Sequence, residues 1–395
     1  MSDLSLPARS RRSLSLHDKK VRGIFYQVLL AGSLLALALG IGIQTASNMR
    51  ARGIPLSFDF WNESAGFDIN QTLIPYDTLS TYGQAFWVGV VNTLYVSFLA
   101  ILLATLLGFV VGIARLSQNW VVSKVATSYV EVVRNVPLLL QLLFWYNAVL
   151  KPLPPPKSSI AIPGGIYLNN RGLIIPEIQL HPGAGLVGLA FAAAVFCSIA
   201  FWFYAKRVQR GTGKQLPVFL VSLAALAGFP LVMFLAAGEP VSFITPHLRG
   251  FNFQGGHQLY PEFAALLIGL SVYTGSYIAE IVRSGIQAVP KGQTEAAYAL
   301  GLSPGKTLRL VIVPQALRII IPPLTSQYLN LTKNSSLAVF IGYPDLVQIF
   351  AGTVLNQTGA AVQVMAITLS VYLAISIVTS MAMNAFNQHS AIVER

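Results

Sequence analysis

Two pairs of ionisable residues interrupt otherwise apolar stretches with the same spacing, Glu131 with Arg134 and Glu280 with Arg283. Residues three apart share a helix face, so each pair can form a local ion pair. Charges in apolar surroundings normally pair or serve function, so a structural bridge and a gate are both open readings. Asn92, Thr93, Gln141, Thr274 and Ser276 lie in long apolar runs. Together they supply donors and acceptors of the kind a zwitterionic ligand needs, although each can equally bond a neighbouring helix. Nothing suggests covalent chemistry. The five histidines are scattered, so no metal site is expected, and the single Cys197 excludes a disulfide or a cysteine metal cluster within the chain. Gly305-Lys306-Thr307 imitates the end of a phosphate loop, but Leu300 stands where that loop needs its first glycine and Pro304 intrudes. The chain is therefore expected to bind no nucleotide and no cofactor of its own.

The elements that position these residues follow from composition. Charged residues are 10% of the 395 and apolar residues 54%, with a mean hydropathy of +0.63. A soluble protein carries roughly 25% charge. The fold class is accordingly an all-α polytopic membrane protein, which excludes a soluble enzyme, a secreted disulfide domain and a disordered chain. A span needs about 20 apolar residues, and that length places helices at about 24–43, 87–113, 128–150, 186–204, 216–236, 262–283, 335–350 and 362–384. The first apolar run is too long for a signal peptide's core and reads as a retained span. Gly108 and Gly112 in the second span would permit close helix packing. The proline-rich 151–163 reads as a stiff spacer. With eight spans and a cytoplasmic amino terminus, twenty of the 26 Lys and Arg fall inside and six outside. That bias orients the protein with both termini in the cytoplasm, and it explains the net charge of +12 without nucleic acid.

A third constellation lies between the sixth and seventh spans, in a cytoplasmic loop over 284–333. Thr294 reads as the cap of a short helix starting at Glu295, and Gly301 as its left-handed end. Ser303 and Pro304 read as the cap and first residue of a second helix. Pro314 would stop or kink that helix, and Pro322-Pro323 would end any helix beyond it. Leu300, Leu308 and Val311 give the unit an apolar surface, suited to the lipid surface or to a partner's groove.

Glu295-Ala296-Ala297, then Gly301, then Val311-Ile312-Val313-Pro314 resembles the EAA loop of ABC-importer permeases. The wider runs YIAEIVRSGIQAVPKGQTEAA from Tyr277, Asn334 to Ala338, and YVEVVRNVPLLLQLLFWY from Tyr129 are similar to the polar amino acid branch. With its long insertion, the chain most resembles the larger permease subunit of general L-amino acid importers, the AapQ or BztB type. That resemblance implies a type I permease core of five helices, spans 2, 3, 6, 7 and 8. It divides the chain into a tail (1–23), a first helix with an external segment (24–83), a permease domain (84–387) and a tail (388–395). Within the domain, 151–261 is an insertion with two extra spans and 284–333 the coupling loop.

The resemblance further implies that Glu295, Ala296, Ala297, Gly301 and Pro314 couple the chain to a cytoplasmic ABC ATPase dimer, which binds the ATP and magnesium. The other implied partners are a second, non-identical permease, a periplasmic binding protein, an L-amino acid substrate and membrane lipid. The function implied is ATP-driven import of polar or general amino acids across the bacterial inner membrane by alternating access. The chain would be a transport subunit and not an enzyme. The competing expectation is an ion-gradient-driven secondary transporter, which would need an ion site near mid-membrane.

Overall fold

The computed structural model describes residues 19–51, 53, 57–238 and 240–390, and the expected terminal tails lie largely outside them. The chain opens with helix α1 (Lys19–Ala51) and a segment that packs, through Phe60, Ala65 and Ile69, on the start of α2 (Tyr82–Ala114). That start is set by a capping box. Thr81 Oγ1 accepts from the Gln84 amide, and Gln84 Oε1 accepts from the Thr81 amide. Helix α2 therefore begins five residues before the expected span.

The expected span at 128–150 is two helices, not one. Helix α3 (Trp120–Asn135) meets α4 (Leu138–Leu143), which continues as a π-type turn to Leu150, at 105°. The cause is Pro137. Its ring forces Val136 out of the helical region to φ −101°, ψ 125°. Gln141 Nε2 then staples the corner by donating to the carbonyls of Val133 and Val136 at 2.8 and 2.9 Å.

The insertion contains β structure that hydropathy does not reveal, in eight short strands. Strands β1 (Ile160–Ile162), β2 (Ile166–Asn169) and β3 (Gly172–Ile175) form an antiparallel sheet completed by β8 (His257–Leu259), while β4 (Glu177–Leu180) pairs with β5 (Val241–Ile244). Strands β6 (His247–Arg249) and β7 (Asn252–Gln254) make a second ribbon. From the β4–β5 ribbon projects a hairpin of α5 (Ala184–Thr212) and α6 (Val218–Ala236).

Helix α7 (Pro261–Gln287) is the axis of the bundle. A short α8 (Lys291–Ala299) comes next, then α9 (Pro304–Thr307), a π-type turn Leu308–Ile312 and α10 (Val313–Asn334) in one continuous rod. This corrects three expectations. The rod and its 3-10 extension, Pro304–Phe340, take the place of the expected seventh span, whereas 335–350 is broken at Gly342 (φ +77°). Pro314 follows the π-type turn inside this rod without ending it, and Pro322 and Pro323 pass within the helix on its exposed face. The stretch clear of long helices is thus shorter than 284–333. A turn at Val347–Val354, α11 (Leu355–Thr358) and α12 (Ala361–Ser390) complete the chain. Among the described residues seven helices are long and apolar enough to cross a membrane, or eight with the bent α3–α4 pair as one.

Packing between helices cannot rest on the hydrophobic effect where both sides are lipid-like, so close contact must supply it. A Cβ on Gly108 would fall 2.5 Å from Ile278 Cβ, and one on Gly112 would fall 2.7 Å from the Ala279 carbonyl. The GxxxG spacing read from sequence is therefore the α2–α7 contact. Gly285 plays the same part under Ile320 of α10.

Candidate functional site

Three polar assemblies stand on this frame. The first is at the loop end of the bundle, around α8. Helix α8 starts at Lys291, so Thr294 lies inside it rather than capping it, and Glu295 is in its second turn. Its end is as expected. Gly301 takes φ +76°, its amide donates to Tyr298 O at 2.9 Å, and the Leu302 amide donates to Ala297 O at 3.1 Å. These two bonds make a Schellman turn, which leads directly into Ser303 and Pro304. Ser303 precedes the rod as predicted, although its side chain makes no capping bond. Ala297 is buried, while Glu295, Ala296 and Pro314 face outward. Tyr298, Leu300, Leu308 and Leu310 are exposed, Leu300 at 82%. Gln315 Nε2 donates to Gln293 Oε1 at 3.2 Å and ties α8 back to α10.

The second assembly is an ion network between the loop ends of α2, α3 and α7. Glu280 Oε1 pairs with Arg283 at 2.5 Å, as the spacing predicts, and Oε2 pairs with Arg115. The Glu131–Arg134 pair does not form. Helix α3 turns Arg134 towards α7, where it lies 4.9 Å over the Tyr277 ring and 4.0 Å from Glu280. Arg115 is the member that sequence spacing misses, since it lies 165 residues from its partner.

The third assembly surrounds the broken segment 341–345. Asn92 Nδ2 donates to the carbonyls of Pro344 and Gln71, each at 2.9 Å. Thr93 Oγ1 accepts from the Leu346 amide at 3.0 Å. Asp345 is fully buried. Its Oδ1 accepts from the Gln348 amide at 2.8 Å and its Oδ2 from the Tyr372 hydroxyl at 3.2 Å. By hydropathy Asp345 is only an interruption of a span. A lone carboxylate in an apolar run, just after a proline, is itself a signal of a paired and capping group. The five predicted polar residues therefore do not converge on one site. Asn92 and Thr93 hold the break, Gln141 holds the corner, and the Ser276 hydroxyl donates to Tyr273 O at 2.6 Å. Thr274 is buried in α7. Among the described residues Asn92 Oδ1 has no hydrogen-bond partner.

Known proteins are similar to this chain. Residues 212–391 match the family described as binding-protein-dependent transport system inner membrane component. The chain is 48% identical over 381 residues to the general L-amino acid transport system permease protein AapQ of Rhizobium johnstonii, covering 96% of this chain and 95% of that one. It is 49% identical over 383 residues to the putative amino-acid ABC transporter permease protein YhdX of Escherichia coli, covering 97% and 98%. It is 40% identical over 416 residues to the glutamate/glutamine/aspartate/asparagine transport system permease protein BztB of Rhodobacter capsulatus, covering 98% and 97%.

Proposed function

The chain belongs to the inner-membrane permeases of binding-protein-dependent ABC importers, and from that premise we propose its working cycle. The protein is the permease subunit that carries L-amino acids across the inner membrane. A separate cytoplasmic ATPase dimer hydrolyses ATP, a periplasmic binding protein delivers the amino acid, and a second, non-identical permease completes the core. Both termini and α8 face the cytoplasm, in keeping with the twenty-to-six bias of basic residues. The relatives give no support to a carrier driven by an ion gradient.

The observation that carries the coupling reading is the continuity from the Gly301 turn into the rod. The apolar face of Tyr298, Leu300 and Leu308 is what an ATPase groove would hold. Closure of the ATPases would move α8, and the Schellman turn passes that motion to a rod about 45 Å long from Pro304 to Asn334. Because the rod packs along α7 through Gly285 and Ile320, the displacement reaches the core. Glu295, Ala296 and Ala297 lie on the docked helix, Gly301 sets its angle, and Pro314 lies just past the π-type turn of the transmitting rod. Of the predicted substrate contacts, Asn92 keeps an open acceptor beside the break.

The test is amino acid uptake in cells carrying the whole operon with Gly301→Val. A β-branched residue at φ +76° is strained by about 1–2 kcal/mol, and nothing lies within 4 Å to clash with it. The defect should therefore be one of lever angle and not of folding. Uptake should collapse while the subunit reaches the membrane and the ATPase ceases to co-purify. Unchanged uptake that tracks a proton or sodium gradient would overturn the reading.

A further inference from the structure

A charged cavity lies outside the coupling reading. It holds about 480 Å³ between the loop ends of α2, α3 and α7, and Arg115, Glu131, Arg134, Tyr277, Glu280 and Arg283 line it. Three guanidiniums share the single carboxylate of Glu280, and the Nε donors of Arg115 and Arg283 are buried without an acceptor among the described residues. Arg134 is the loosest of the three. Its side chain is 40% exposed, and among the described residues its only ionic contact is at 4.0 Å. On the same wall, Glu131 is exposed and makes no ion pair among the described residues. One cavity thus presents an under-used cation, an unpaired anion and the tyrosine ring beneath the cation.

That combination selects against singly charged ligands. A free anion would meet Glu131 and Glu280, and a free cation would meet three arginines. A molecule carrying a carboxylate and an ammonium a few bonds apart satisfies both, because a guanidinium fork takes a carboxylate in two hydrogen bonds and Glu131 can accept from the ammonium. The volume lies in the range of small-ligand sites. We propose that this cavity is a binding site for the α-carboxylate and α-ammonium of an L-amino acid at the cytoplasmic end of the pathway. Arg134, with Arg283 beside it, holds the carboxylate and Glu131 holds the ammonium. The assignment rests on the importer reading. It explains how a permease can pass amino acids of differing side chains, since only the common backbone is held. It also places the product where its accumulation in the cytoplasm would slow release.

The test uses the complete permease–ATPase complex in nanodiscs of phosphatidylcholine and phosphatidylglycerol, without binding protein, and radiolabelled L-glutamine as the probe. Binding should be saturable, and at least tenfold more weakly displaced by L-glutamine methyl ester, which lacks the carboxylate, and by glutaramate, which lacks the ammonium. Glu131→Gln and Arg134→Gln should each weaken binding at least tenfold, and Arg134→Lys should restore part of it. Size-exclusion chromatography verifies that each variant assembles. Binding that survives both substitutions, or an absence of binding in the wild type, overturns the proposal. Displacement by inorganic phosphate or glutaramate as strong as by glutamine would make this an anion site and overturn it. Displacement by added phosphatidylethanolamine would assign the cavity to a lipid headgroup with the same result. Binding-protein-dependent, ATP-driven uptake by the wild-type complex is measured in parallel, and its failure alone would strike at the importer reading.

Discussion

The α2–α7–α10 core and the α5–α6 hairpin are made of similarly apolar helices, yet they meet their surroundings differently. In the core, Gly108, Gly112, Gly275 and Gly285 each hold a neighbouring helix so close that a single methyl group would touch it. In the hairpin, Gly185, Gly188, Gly211 and Gly228 have nothing within 4 Å. Among the described residues, neither α1 nor the hairpin contributes to the two buried apolar clusters. Hydropathy alone does not distinguish these regions, because lipid and a packed helix are equally apolar. What separates them is whether small residues are spent on contact.

The largest effect should come from Gly108→Leu. The added side chain meets Ile278 and the Gly275 carbonyl, so α2 and α7 must part. Overpacking typically costs about 1–3 kcal/mol, and with backbone as the obstacle the upper end is expected. Thermal unfolding of the purified complex should show this loss. Gly188→Leu in α5 should stay within about 0.5 kcal/mol of wild type, since its side chain enters open space. Equal losses at the two positions would erase the comparison.

The second effect is electrostatic and also divides neighbours. Glu280→Gln removes the one carboxylate shared by three arginines; the side chains of Glu280, Arg115 and Arg283 are 27%, 11% and 30% exposed. Breaking a fully buried pair costs about 3–5 kcal/mol, and partial exposure should reduce this to about 2 kcal/mol. Glu131→Gln, one helix away in the same cavity, removes no ion pair among the described residues and should leave stability unchanged, read from the same unfolding curves.

Local chemistry was legible in the sequence and long-range chemistry was not. The Gly301 turn, the start of the rod at Pro304 and the Glu280–Arg283 pair depend on residues a few positions apart, and the structure has all three. Arg115 with Glu280, and Tyr372 with Asp345, depend on which helices meet, which spacing does not disclose. The seventh span was misplaced for a specific reason. A search for charge-free stretches rejects Arg309, Arg318 and Lys333, although a helix can bury one face against α7 and carry those charges elsewhere. The short strands were hidden by an opposite effect, since three- and four-residue runs such as Ile160–Ile162 fall below any span-length window. The capping box at Thr81 and Gln84 is readable from type and spacing alone, and it marks the start of α2.

The smallest effect is expected from the largest change, removal of the hairpin from Ala184 to Ala236. The cut is geometrically mild. Gly183 and Ala237 already lie side by side, with Ala237 Cβ 3.3 Å from where a Cβ on Gly183 would stand. The β4–β5 ribbon holds both ends in register through Leu180 opposite Val241. Two spans leave together, so α7 keeps its direction through the membrane. If the core is self-sufficient, the shortened chain should reach the membrane, co-purify with its ATPase and unfold within about 0.5 kcal/mol of wild type, far above Gly108→Leu. Should it instead lose the second permease proposed above while α2 and α7 remain packed, the exposed faces of α5 and α6 belong to an interface within the membrane. The contrast would then lie between contacts made inside one subunit and contacts made between two.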